Sequence, residues 1–492
     1  MPDLPFGEWL PDQAPVATVG TQYIRNALPS ATGYLPVPSL SDANESGITG
    51  PASLLFHVAD SSRNVFVFAG DPTKLYQLTS GSGFADVSKV GGYNSGTPWK
   101  HVRYGDFVYL VNGVDPMQAF ELGADSAFGD AANLPSGLTG RFIAVVRDFV
   151  VLGYVNDNAG VPSIYQVRWS ALGNPGSWTP DPSTMSGLQD IPDLGEVRGI
   201  TGGDFGTILL EDGLVRMDFI GPPAIMQFDQ IDGAVGCKEP ASVIRVEDAT
   251  FYLADEGWHR FNGQNSEPIG SEKIDRWFAV NAIQEELPKM SAINIPQLSA
   301  VGWLFTSVNT PDGKHDKILL YAYDVNRWGI MDVAGPDCLG TAATVGISLD
   351  DLAAIYPSID DIPAPLDSAI WKGSNFAQTS AIKDGGLFLF TGSVLDGELE
   401  TIERSFTKQG KTVVVGMVPQ VDGASTVTVD VGTRNATNTN NPEWVRAAML
   451  DENAGYVPLR SVGKFHRFRL KLEGGWHHAV GVDVEAKPMG RR

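Results

Sequence analysis

Six times between residues 65 and 331 the chain repeats one phrase: an apolar run, a turn of Gly, Asp or Asn, then a second run carrying an aromatic residue. VFVFAGDPTKLYQL (65–78), FVYLVNGVDPMQAFEL (107–122) and VVLGYVNDNAGVPSIYQVRWS (150–170) are the first three. TILLEDGLVRMDFI (207–220), TFYLADEGWHRFNG (250–263) and VGWLFTSVNTPDGKHDKILLYAYDVNRWGIM (301–331) follow, and SAIWKGSNFAQ (368–378) reads as a last partial unit. Aligned on Val65, Val108, Val150, Ile208, Phe251 and Trp303 as first strands, the units step by 43, 42, 58, 43 and 52 residues. A small antiparallel sheet recurring every forty to fifty residues is the pattern of propeller blades. Two consecutive β-sandwiches would instead space strands every 8–12 residues with no larger period. The long step before Ile208 predicts an insertion around residues 172–195. The one good helix candidate is 270–287, with Ser271 placed to cap it. Many short strands need many turns, and 55 Gly and 32 Pro spread along 492 residues supply them.

The fold class read from this pattern is all-β: a six- or seven-bladed β-propeller with an extended N-terminal arm and a C-terminal antiparallel β domain. The arm is placed at 1–50, where alternation is weak and five prolines precede residue 30. The propeller takes 51–390 and a β-sandwich-like domain 391–492. An arm of this kind is expected to order on contact with a neighbour.

The stretch KFHRFRLKLEGGWHHAVGVDVEA (464–486) carries three histidines with carboxylates close behind, and so raises a metal site. Period two separates it into strands. His466, Phe468, Leu470 and Leu472 share one face, and Val480, Val482 and Val484 share another. A loop at Gly474-Gly475-Trp476 would set Leu470 opposite Val480, Phe468 opposite Val482 and Arg467 opposite Asp483. His477 and His478 then face opposite sides and cannot chelate one ion together. The reading is a half-buried hairpin with no metal.

Catalytic signatures are missing. There is no GxSxG, HExxH or GxxxxGK[ST]. SALGNPGSW (170–178) approaches a sialidase Asp-box but lacks its Asp and occurs once. Asp350-Asp351 and Asp360-Asp361 sit in short turns and read as caps rather than an acid/base pair. Asn435-Ala436-Thr437 matches a glycosylation sequon, but MPDLPFGEWLPDQ has neither basic n-region nor apolar h-region, so no secretion signal is expected. Cys237 and Cys338 belong to no CxxC pattern and read as buried thiols. No apolar run is long enough for a membrane span. The sequence therefore nominates no catalytic, cofactor-binding or metal-binding residue, no cofactor, and no enzyme.

Charge divides the chain. Net charge is −23, yet residues 401–492 hold 13 Lys and Arg against 9 Asp and Glu, while residues 1–400 hold 22 against 49. Such an acidic body does not grip nucleic acid by counterion release.

Three stretches together carry a resemblance. FGEWLPDQAPVATVGTQYIRNALPSATGYLPVPSLS at the start, VRWSALGNPGSWTP (167–180) with SLDDL…PLDSAIWKG (348–373), and the terminal KFHRFRLKLEGGWHHAVGVDVEAKPMGRR resemble tail hub or nozzle proteins of short-tailed bacteriophages. The resemblance implies a structural subunit of a homo-oligomeric ring, a hexamer, that continues the DNA channel below the portal and adaptor and supports genome retention and ejection. Its implied partners are tail adaptor and portal proteins, tail fibres or spikes, and double-stranded DNA passing without specific binding. Its implied location is the virion tail, assembled in the bacterial host cytoplasm. An acidic wall would let DNA slide, while the basic 401–492 domain would pack on neighbouring subunits or the adaptor. Competing readings are a receptor- or glycan-binding tail adhesin, with Trp and Tyr as stacking platforms, and a propeller glycan hydrolase or lyase.

Overall fold

In the computed structural model, residues 3–14, 19–79, 81–157, 162–310, 312–343, 378–407, 410–436, 442–450 and 455–489 are described. Six four-stranded antiparallel sheets, and four strands that open a larger sheet as one further blade, follow one another around a common axis. Blades 1 to 6 begin at Leu54, Lys100, Leu138, Val197, Glu239 and Ser291. Blade 7 takes Cys338–Ala342, Gln378–Lys383 and Gly386–Leu389 from late in the chain. Its outermost strand is Ser41–Ser46, paired Gly386 to Ser46 and Leu389 to Ser41. An early strand thus closes the ring against a late one, and no blade-to-blade seam is left without covalent continuity across it.

The residues aligned as first strands, Val65 through Trp303, are the second strands of blades 1 to 6. The period was legible because second strands are buried on both faces, as in Ala300–Phe305, where all six residues are buried. First strands line the axis, and those that are only half-buried, such as Lys100–Tyr104, carry polar residues and escape an apolar scan. The expected insertion lies between the third and fourth strands of blade 3. It is held by Trp178, which is buried and whose carbonyl accepts from Arg168 Nη2 at 2.8 Å and Nε at 3.1 Å. Most of the partial unit 368–378 and both acidic pairs, Asp350-Asp351 and Asp360-Asp361, fall outside the described residues, as does Thr437 of the sequon.

Equivalent turns each bury an aspartate that accepts several hydrogen bonds. Between strands two and three of blade 1, buried Asp71 accepts from the N–H groups of Thr73 and Lys74 and from the Tyr76 hydroxyl. In blade 2, Asp115 accepts from Asn94 N and from the Asn112 and Asn94 side-chain amides. Turn N–H groups that no strand can reach go to Asp71 in blade 1 and to Asn112 Oδ1 in blade 2. Part of the acidic excess is therefore internal.

The 1–50 segment is extended, and its partners belong to its own chain. Asp3–Pro5 pairs with His478–Pro488, Ile24–Arg25 pairs with Gly397–Glu400, and Ala27–Pro29 and Tyr34–Pro36 form a hairpin. That hairpin joins blade 6, through Ile330 opposite Ala27, to the C-terminal domain, through Tyr34 opposite Ala479. One ten-stranded sheet results. Arg25 adds ion pairs to Asp332 (2.5 Å) and Glu398 (3.3 Å).

The C-terminal domain is a sandwich, and here the expected hairpin fails. Phe465–Glu473 pairs with Gly397–Glu400 and Thr426–Arg434, whereas His478–Pro488 pairs with Thr412–Asp422, so the two strands lie in opposite sheets. Gly474 and Gly475, with φ of 75° and 80°, carry the chain across. Trp476 is fully buried and pins the crossing by donating to Leu395 O at 3.1 Å. Arg467 consequently meets Glu400 and Glu403, not Asp483. A register shift near Gln420 and Val421 also puts Ala479, rather than Val480, in the core with Val482 and Val484.

The helix candidate forms over Asp275–Asn281 only, and Ser271 does not cap it. The N–H groups of Arg276 and Trp277 donate instead to the Asp12 carboxylate, each at 2.8 Å. Beside it, Asp275 is pressed between Gly257 and Gly270, where an added Cβ would fall on its carboxylate. Burial raises its carboxyl to about 6, the Trp258 N–H opposes that, and Asp12 adds to it. A raised folded pKa means the native state holds this proton more tightly than the unfolded chain. The cost of ionising Asp275 is absent below its ordinary value and complete above about 6, so stability drops as pH rises through that window. Asp275→Asn is expected to leave the melting temperature near pH 4 unchanged and to raise it at pH 7. Melting curves of both proteins across pH 4–7 check this, and parallel curves would show the carboxyl carries no penalty.

Candidate functional site in the propeller channel

The histidines singled out from sequence do not converge. His466 lies in the sandwich core, its Nε2 2.9 Å from Thr412 Oγ1 and 3.1 Å from Gly463 O, with burial lowering its pKa. His478 Nε2 is 3.4 Å from Ser30 Oγ, and His477 is exposed. Among the described residues no three His, Cys, Asp or Glu side chains gather as a metal site. Cys237 and Cys338 are free and buried, and burial pushes both thiols up to about 12. Such thiols are poor nucleophiles. No described helix is long and apolar enough to cross a membrane.

A hollow lies on the propeller axis. It has a volume of about 680 Å³, and all seven innermost strands wall it. A second hollow of about 380 Å³ shares Ser53, Pro98 and Ser291 with it and extends it toward Lys289 and His315. The charges on the axial wall come from few residues. Lys100 (blade 2) and Arg141 (blade 3) are half-buried, and neither forms an ion pair with a described carboxylate. Glu239 (blade 5) is buried, and its Oε1 accepts from Ala241 N at 3.0 Å. Arg245 is spent on Asp248, at 3.1 Å, and on the carbonyls of Glu247 and Phe205.

Desolvation sets the protonation states here. Burial lowers the Lys100 ammonium, with Glu239 opposing and Arg141 adding to the shift. Burial raises the Glu239 carboxyl. His101 lies flat on Phe56, ring centroids 3.7 Å apart, and is pushed down to about 3 by burial first and then by Lys100 and His57. His57 is lowered by burial and sits 2.8 Å from Thr341 Oγ1 through Nδ1. Both imidazoles are therefore neutral at pH 7, and each offers hydrogen bonds without charge. Sequence reasoning missed all five residues. The one available signal was KHVR (100–103), four polar-rich residues just ahead of an apolar second strand.

Of the ten described tryptophans eight are buried, and only Trp277 and Trp444 keep partial exposure. Their large surfaces serve the core rather than a sugar platform.

These features define a seven-bladed β-propeller with a polar axial cavity, bonded through a continuous sheet to a β-sandwich. No protein-family model matches the chain, and no curated protein does. Among solved structures it is similar to the extracellular domain of a putative hybrid two component system from B. thetaiotaomicron, at 11% identity and TM-score 0.39, covering 84% of this chain and 48% of that one. The chain thus spans about half the length of that domain. YCF48 bound to a D1 peptide aligns at 12% identity and TM-score 0.30, over 52% of this chain and 76% of that one. The computationally designed Ika8 protein aligns at 10% and 0.34, over 72% and 99%. Likenesses this distant carry no functional argument, and the fold rests on the strand pairing itself.

Proposed function

We propose that this chain is a structural ring subunit of a bacteriophage tail, of the hub or nozzle type, with a hexameric ring, portal and adaptor proteins as neighbours, and DNA passing through without specific binding. The observation that carries the reading is the ten-stranded sheet that joins blade 6, the N-terminal hairpin and the C-terminal sandwich into one body. A part that transmits force between neighbours needs its modules coupled by strand pairing rather than by a flexible linker. The resemblance of both termini to tail proteins supports the same reading, and those termini are the segments woven into this junction. Charge supports it too: the net acidic excess of residues 1–400 disfavours lasting contact with a DNA backbone, while a mildly basic sandwich suits acidic neighbours.

Ring contacts fall to the sandwich edges. Glu443–Met449 and Val457–Gly463 end their sheets, and they expose Val445 (61%), Met449 (60%) and Val462 (40%). Gold-labelled antibody to the chain is expected at the tail tip or collar of particles from the source, in several copies. Label on peripheral fibres, or on no particle, would sink the reading. Val445→Lys with Met449→Lys is expected to shift the purified chain from ring to monomer by light scattering, with the melting temperature unchanged.

A further inference from the structure

We propose that the axial cavity is a binding site for a small oxyanion carrying two negative charges, of the phosphate or dicarboxylate type, held between Lys100 and Arg141. In a chain of net charge −23, this cavity is the reverse of the surface. Its wall bears Lys100, Arg141 and Arg245 against one carboxylate, Glu239. Arg245 is neutralised by Asp248 and two carbonyls, and one Glu239 oxygen is engaged by a backbone N–H. Lys100 and Arg141 stand on adjacent blades with no described carboxylate in ion-pair contact. The Arg141 guanidinium leans on the rings of Phe142 (5.3 Å) and Tyr154 (5.4 Å), which orients it without neutralising it.

Leaving two cations together in a desolvated hollow is costly unless an anion joins them. Burial is what depresses the Lys100 ammonium, with Glu239 opposing the shift more than Arg141 adds to it. A bound dianion would reverse it, because an opposite charge within a few ångströms favours the charged amine. The neutral rings of His57 and His101 and the hydroxyl of Thr341 supply hydrogen bonds around the charge. At about 680 Å³ the hollow admits such an ion with several waters, and a second hollow adjoins it at Ser53, Pro98 and Ser291. The proposal goes beyond the ring reading and does not depend on it, since a propeller in any assembly would keep this cavity.

The test is isothermal titration of the purified full chain with sodium phosphate and, separately, sodium malonate, at constant ionic strength set by sodium chloride. Saturable binding of one or both is expected, and the preferred probe tells phosphate from carboxylate chemistry. Lys100→Met and Arg141→Met should each weaken it about tenfold or more, the scale of a lost charge-assisted contact. Glu239→Gln, which removes the one opposing carboxylate and keeps its shape, should tighten it severalfold. That opposite sign separates a site from a folding defect, because a merely damaged cavity would lose affinity in all three variants. No saturable heat from either probe up to about 10 mM, or affinities unchanged by Lys100→Met and Glu239→Gln, would overturn the proposal.

Discussion

Trp303→Ala is expected to destabilise the protein by about 3–5 kcal/mol, among the largest effects a core substitution produces. Trp303 is fully buried on the second strand of blade 6, where the cores of blades 5 and 6 and the sandwich merge. Its ring centroid lies 4.3 Å from that of Trp258 and 5.8 Å from that of Trp328. Its Nε1 donates to Ser242 O at 2.8 Å across the blade boundary. Truncation opens a cavity among rigid rings that cannot collapse into it, and it also strands a buried carbonyl. Urea unfolding followed by circular dichroism measures the loss. Val90→Ala is the control, because Val90 is fully exposed and should change stability by less than about 0.5 kcal/mol. Similar costs for the two would mean that blade 6 does not tie the modules together.

Glu400→Ala should cost about as much, roughly 3–5 kcal/mol, for an electrostatic reason. The Glu400 side chain is 2% exposed and sits between Arg467, at 3.3 Å, and Arg469, which reaches Oε1 at 2.5 Å and 2.9 Å. Glu403, as deeply buried, holds Arg434 at 2.6 Å and approaches Arg467 at 3.7 Å. Removing Glu400 leaves one carboxylate to serve buried guanidiniums that had two. The penalty is that of unpaired charge rather than of one lost contact. The exposed pair Lys314–Asp384, at 2.9 Å with side chains 48% and 63% accessible, sets the contrast. Asp384→Ala should cost no more than about 1 kcal/mol. Paired urea midpoints for the two variants decide the matter, and equal shifts would show the sandwich network to be as weak as a surface pair.

These two sites differ in how far the sequence announces them. Trp303 stood in the repeat, and its burial follows from the two-sided covering of a second strand. Glu400 carried no signal at all. Its partners Arg467 and Arg469 were visible on one face of a strand, yet the alternation that revealed the face gave Arg467 to Asp483 in a hairpin that does not exist. Period two reports which way a side chain points and is silent about which strand lies beside it. Asp12 shows the same limit. Ser271 was the local candidate for the helix cap, and the acceptor came from more than 260 residues away in sequence.

What the sequence determined by itself is the β-rich composition, the blade period and the buried aromatic core, because each depends on neighbours within one hairpin. Seven blades rather than six, the closure of blade 7 by Ser41–Ser46, the sandwich pairing and the cationic cavity were decided only by the tertiary structure. Each of those joins segments distant in sequence, and the free energy that selects them comes from burial and charge pairing that exist only once the chain has closed on itself.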